Sequence, residues 1–154
     1  MRTIRRTPAA DALTNLVLDL FRLNNLLLTA GDRLVAELGL TSARWGILGA
    51  IAFAERPQPV AWLARDMGAN RQNVQRIIND LHDMGLVAFE PNPHHRRAQL
   101  VTLTEKGKQT FDAAMRLQAP QANRLSAGLS VKDVEVTHRV MLALRGKLDG
   151  SQAS

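Results

Sequence analysis

Residues 59–107 read PVAWLARDMGANRQNVQRIINDLHDMGLVAFEPNPHHRRAQLVTLTEKG, and this stretch decides the fold. Val74, Ile77, Ile78 and Leu81 recur at the three- and four-residue spacing of a helix with one buried face. Asn70 stands where a capping side chain accepts from first-turn N–H groups, and Gly85 stands where the helix must end. The opposite face carries Arg71, Gln72, Asn73, Gln75 and Arg76, with no acid in the opening turn. Arg matches guanine bidentately in a major groove, and Asn or Gln matches adenine. Upstream, Pro59 to Met67 reads as a short helix with Val60, Leu63 and Met67 facing in, and Gly68 supplies the turn. Downstream, residues 86–89 and 99–103 read as a two-stranded ribbon joined across Pro91-Asn92-Pro93, since prolines at a tip cost no ladder hydrogen bond. His94, His95, Arg96 and Arg97 fall at or just past that tip, and narrow minor grooves attract inserted arginine. A polar helix face alone is an ordinary solvated surface. Followed by a basic ribbon, it becomes the arrangement with which a winged helix-turn-helix holds double-stranded DNA.

Outward from this stretch the chain is helical. Pro8 to about Leu38 predicts a long first helix, with Leu13, Leu16, Leu20, Leu23 and Leu27 on one stripe and Val17, Phe21 and Leu28 on a second. A helix apolar around most of its circumference must be covered on more than one side, and in so short a chain a partner subunit is the expected cover. Gly39 closes it, and Thr41 or Ser42 caps a second helix through about Glu55, stopped by Arg56-Pro57-Gln58-Pro59. Thr104 caps a fifth helix towards Leu125, which Pro120 is expected to kink or interrupt. Ser130 and Asp133 open a last helix through about Leu148. The fold class is therefore mainly α with a small β-hairpin.

Composition sets the outer bounds. The 154 residues carry 20 Lys+Arg against 14 Asp+Glu, a net charge of +6 that favours polyanionic partners. The absence of cysteine excludes disulfides and thiolate metal sites. Neither a signal-peptide pattern nor an uninterrupted apolar run of spanning length is present, so no membrane role and a cytoplasmic location are expected. His82, His94, His95 and His138 form no helical i, i+4 pair, and residues 105–119 contain no His, so no metal site and no cofactor are expected. No nucleophile elbow, phosphate loop or dinucleotide fingerprint is present, and a capping role for Ser130 and Asp133 accounts for their lying near His138 at the start of one helix. The chain is not expected to be an enzyme.

Three segments, LTSARWGILGAI, LARDMGANRQNVQRIINDLHDMGLV and RRAQLVTLTEKG, resemble the MarR family of transcription regulators over nearly the whole chain. The last is the most specific, because wing, strand and an LT-x-x-G helix start occur together. The resemblance implies one MarR-type domain over 1–154, with 8–38 and 104–148 as dimerisation helices and 41–103 as the winged-helix lobe. It implies a homodimer presenting two recognition helices to a palindrome, with half-sites about one helical turn apart. It also implies a repressor relieved by a small ligand, such as a phenolic or aromatic acid, in a pocket for which Arg22 and Trp45 are the candidates. Recognition is expected from Asn70, Arg71, Gln72, Asn73, Gln75 and Arg76, and wing contact from His94, His95, Arg96 and Arg97. The alternative is an architectural DNA binder without sequence preference, since basic charge supplies most non-specific affinity. One departure stands out: family wings read Asp-x-Arg, and here His95 takes the acid's place, which puts the usual bracing of the loop in doubt.

Overall fold

The computed structural model describes residues 5–150. Helix α1 (Pro8–Val35) opens at Thr7, whose hydroxyl accepts from the Ala10 N–H at 3.1 Å, with Pro8 in its first turn. It ends in a 3₁₀ turn (Ala36–Leu38), and Gly39 at φ 72° turns the chain out in the left-handed region that glycine tolerates. Thr41 caps α2 (Ser42–Phe53). The two helices are pinned at their junction. The Ser42 N–H donates to Asp32 Oδ1 at 2.7 Å, and its hydroxyl donates to the Leu28 carbonyl at 2.7 Å. Gly31 makes this approach possible, because a Cβ there would overlap the Ser42 hydroxyl.

Helix α2 ends two residues before the expected Glu55, because the chain must become extended to enter β1 (Gln58–Pro59). This strand corrects the two-stranded ribbon expected above. It pairs antiparallel with β3 (Leu100–Leu103), which pairs antiparallel with β2 (Val87–Glu90), giving a three-stranded sheet in the order β1-β3-β2. Pro59 lacks an N–H and is accommodated because β1 is an edge strand. Helix α3 (Val60–Asp66) follows, then α4 (Arg71–Asp83), whose N-cap Asn70 accepts from the Asn73 N–H at 3.1 Å. Met67, expected to face in, is 39% exposed: it lies one residue past the end of α3, off that helix's buried stripe.

Ile47 and Leu48 from α2, Leu63 from α3, Ile78 and Leu81 from α4, Leu86 just before β2, and Val87 and Val101 from the sheet are buried together. Side chains of this size contribute about 1.5–3 kcal/mol each on full burial. This core fixes the exposed side of α4 relative to the wing. The end of α4 is fastened by the start of α5 (Glu105–Ser126). Thr104 donates its N–H to the Leu86 carbonyl at 3.1 Å and its hydroxyl to the Gly85 carbonyl at 2.6 Å, while that hydroxyl accepts from the Gly107 N–H at 3.0 Å. Lys106 Nζ donates to the Met84 carbonyl at 2.9 Å. Carbonyls left over where the α4 helix ends thus find partners, as orphaned helix-terminal groups must.

The chain divides into two compact units after Gln118. The second holds the end of α5 and α6 (Val131–Gly150), which Ser130 caps by accepting from the Asp133 N–H at 3.0 Å. Of the two outcomes expected at Pro120, an interruption does not occur: α5 continues through it. It removes one N–H, but Pro120 and Arg116, four residues earlier, are both exposed, so water can satisfy the carbonyl left without a helical donor. In α1, Leu16, Leu18, Phe21, Leu23, Leu26 and Leu27 are exposed, and in the second unit so are Leu125, Leu129, Val131 and Leu142. Among the described residues no single helix is long and apolar enough to cross a membrane.

Candidate nucleic-acid interface

The opening turn of α4 holds Arg71, Gln72 and Asn73 in exposed positions, with Val74 buried behind them. The unpaired N–H groups and positive end of the helix dipole lie at the same place, which favours an approaching phosphate. The six expected recognition residues divide by their partners. Asn70 is committed to its cap through Oδ1. Asn73 Oδ1 accepts from Arg76 NH2 at 2.8 Å, and Gln75 Nε2 donates to Asn79 Oδ1 at 3.0 Å. Arg71 and Gln72 make no side-chain hydrogen bond or ion pair among the described residues, so their donors are free to meet a base edge.

Arg76 belongs to a network that spacing along one helix does not reveal. Its NH1 lies 3.8 Å from Asp80 Oδ2, which also lies 3.6 Å from Arg44 NH2 on α2, and Arg44 NH1 donates to the Gly39 carbonyl at 3.3 Å. One carboxylate therefore anchors two guanidinium groups and ties α4 to α2. These groups are about a third or more exposed, so the network contributes orientation more than stability. Arg44 and Asp80 were not among the residues expected from the sequence. The only signal for Asp80 was its place four residues after Arg76, a common helical ion-pair spacing.

The wing loop runs from Pro91 to Gln99, and His94, His95, Arg96 and Arg97 are all exposed on it. Asn92 braces it: Nδ2 donates to the Ala98 carbonyl at 2.9 Å and Oδ1 accepts from the His94 N–H at 3.0 Å. The His95 N–H donates to the Asn92 carbonyl at 3.2 Å, and the Ala98 N–H donates to the His95 carbonyl at 3.1 Å. An amide at 92 thus supplies the bracing that the absent wing carboxylate put in doubt. The signal was in the sequence, since Asn before Pro commonly closes a turn on its own backbone. Two side-chain hydrogen bonds at about 1 kcal/mol each hold the loop. Asn92→Ala is therefore expected to weaken DNA binding about tenfold by loosening the wing, leaving the melting transition nearly unchanged. Unaltered affinity in a binding titration would show that the brace is dispensable.

Recognition helix and wing meet around Arg71. It lines a cavity of about 800 Å³ with Arg56, Trp62, His94 and His95, and a second of about 270 Å³ with Gln75, Asn79, Arg97 and Gln99. Wing and helix therefore present one continuous cationic face. Arg22 and Trp45 are not brought together in the same way. Arg22 pairs with Asp19 at 3.5 Å on the exposed side of α1, whereas Trp45 packs on the core. Neither lines these cavities, nor a third of about 730 Å³ between the end of α2, the sheet and the start of α5. Among the described residues no group of three or more His, Asp or Glu side chains is placed to hold a metal ion.

A sequence model of the MarR family matches residues 38–98, the segment that holds α2 to the wing. The chain belongs to the MarR family. The uncharacterized protein Rv2011c of Mycobacterium tuberculosis is 34% identical over 142 residues, covering 90% of this chain and 98% of that protein. The transcriptional activatory protein BadR of Rhodopseudomonas palustris is 33% identical over 144 residues, covering 88% of this chain and 82% of BadR. The fold is that of CouR from Rhodococcus jostii RHA1, solved bound to p-coumaroyl-CoA, with a TM-score of 0.73 at 21% identity over 81% of this chain and 87% of CouR. MarR family proteins are transcriptional regulators that bind DNA, not enzymes, and the chain is a DNA-binding regulator.

Proposed function

We propose that the chain acts as a homodimeric repressor that reads a palindromic operator and releases it on binding a small ligand. The observation that carries this reading is the division of α4: a buried apolar stripe behind an opening turn whose Arg71 and Gln72 are exposed and unengaged. Base contact is assigned to Arg71, Gln72, Asn73 and Arg76, with the last two exchanging their mutual hydrogen bond for base contacts. Arg97 and the neighbouring Arg96, His94 and His95 engage the minor groove or its phosphates. The exposed apolar residues of α1, α5 and α6 support dimerisation through 8–38 and 104–148, since apolar surface on this scale marks a contact with another chain. Residues 41–103 then form the DNA-reading lobe.

The p-coumaroyl-CoA bound to CouR supports an aromatic acid or its thioester as effector class, with Trp45, which lies beside Gly31 at the α1–α2 junction, as the candidate aromatic side chain. BadR is named for activation, which favours activation at the same operator as the second reading. Selection of bound sequences from a randomised duplex pool tests the proposal. The expected product is a palindrome with half-sites about ten base pairs apart, bound by one dimer. Recovery of unrelated sequences would contradict it. Transcription from a template carrying the selected site then reads the sign of regulation directly. Arg97→Ala is expected to lower affinity for all duplexes and to reduce the salt slope by about one, in a titration across ionic strength.

A further inference from the structure

We propose that the cavity between Arg56, Pro57 and β1, α3 and the wing tip is a backbone dock, which receives one phosphate of the bound duplex and packs its deoxyribose on Trp62. The inference rests on the DNA-binding reading and extends the contact surface to Arg56 and Trp62, which lie outside both recognition helix and wing. Arg56 and Arg71 line the cavity together with His94 and His95, and no carboxylate lines it. Neither arginine makes an ion pair among the described residues; Arg71 is assigned to a base edge, so Arg56 is the charge that meets the phosphate. Pro57, Pro59 and Pro93 form part of its wall, and their fixed φ angles limit how far it can collapse when empty.

Trp62 is the aromatic residue of the lining. It is 46% exposed, although tryptophan is on average a highly buried residue. The Arg65 guanidinium lies 5.5 Å from its ring centroid and holds it from one side. A cavity lined by cations and by an indole ring matches a sugar–phosphate unit, which is anionic at one end and apolar along the sugar. Its placement selects DNA as the source of that unit. Arg71 at the start of the recognition helix forms one wall and the wing tip forms another, so a duplex engaged by both must carry its backbone past this opening. Contacts of this type set register without reading sequence.

The chain has two tryptophans, Trp45 and Trp62, which makes the dock directly observable. Duplex is titrated into the intact protein, into Trp45→Phe and into Trp62→Phe, with acrylamide quenching read alongside anisotropy of labelled DNA. The expected result is that quenching in Trp45→Phe falls as the duplex saturates, and that this component is missing in Trp62→Phe. Arg56→Ala should flatten the salt slope by about one. Trp62→Ala should weaken specific and random duplexes by the same factor and leave the slope unchanged. Saturation with Trp62 as quenchable as in the free protein would overturn the dock alone. Failure of anisotropy to rise at all would overturn the DNA-binding reading and the dock with it. Protection of Trp62 by a simple aromatic carboxylate but not by duplex would assign the cavity to a small ligand and equally overturn it.

Discussion

Gly107→Ala is expected to destabilise the protein by about 3 kcal/mol, the upper part of the usual cost of forcing extra volume into a packed site. The sign is the informative part. On an open helix surface the same change stabilises by about 1 kcal/mol, because alanine is the better helix former. At Gly107 the added Cβ would overlap the Leu86 carbonyl oxygen, a backbone atom that cannot swing aside as a side-chain tip can. The same carbonyl accepts from the Thr104 N–H, so moving it disturbs the fastening of α5 to the end of α4. Gly46→Ala is the control, since a Cβ there meets nothing within 4 Å, and it should leave stability equal or higher. Urea denaturation at fixed protein concentration reads both. An unchanged midpoint for Gly107→Ala would show that the close approach is not maintained in solution.

Arg71→Ala carries the largest expected effect on function. Arg71 is exposed, unpaired among the described residues, and placed where helix and wing converge. A bidentate arginine–guanine contact discriminates by about 1–3 kcal/mol, so preference for operator over random duplex should fall by roughly ten- to a hundredfold. Random duplex should lose much less, since only one charge is removed from a site held by several. Arg76→Ala is expected to be milder, because Arg76 already holds Asn73 and Asp80 and must give up those contacts to reach a base. Equal losses on operator and random duplex for Arg71→Ala, measured in parallel titrations, would remove its assignment as a base reader.

Where the signal is local and periodic, the fold is legible in the residues. The stripe Val74, Ile77, Ile78, Leu81 and the cap Asn70 locate α4 almost to the residue, since helix period and capping chemistry agree. The LT-x-x-G start of α5 has a local half and a distant half. Thr104 as cap is visible in sequence, but the need for glycine at 107 arises from Leu86, twenty-one positions earlier in the chain. Strand β1 is only two residues long and one is proline, so neither alternation nor propensity marks it; its pairing with β3 makes it a strand. The site divides in the same way. Exposed Arg71 and Gln72 follow from helix geometry, whereas the Arg44–Asp80–Arg76 network needs α2 and α4 to pack first. Trp62 carries no periodic or motif signal of its own, and only the packed lobe shows its exposed position.

The central claim, that this MarR family chain reads sequence through α4, is tested most directly by fluorescence anisotropy on the selected palindrome and on a scrambled duplex of equal length, across a salt series. The account predicts a preference of about a thousandfold or more, with one dimer per site and a salt slope shared by both duplexes in its non-specific part. Comparable affinities with one steep common slope would contradict it and identify an architectural DNA binder instead.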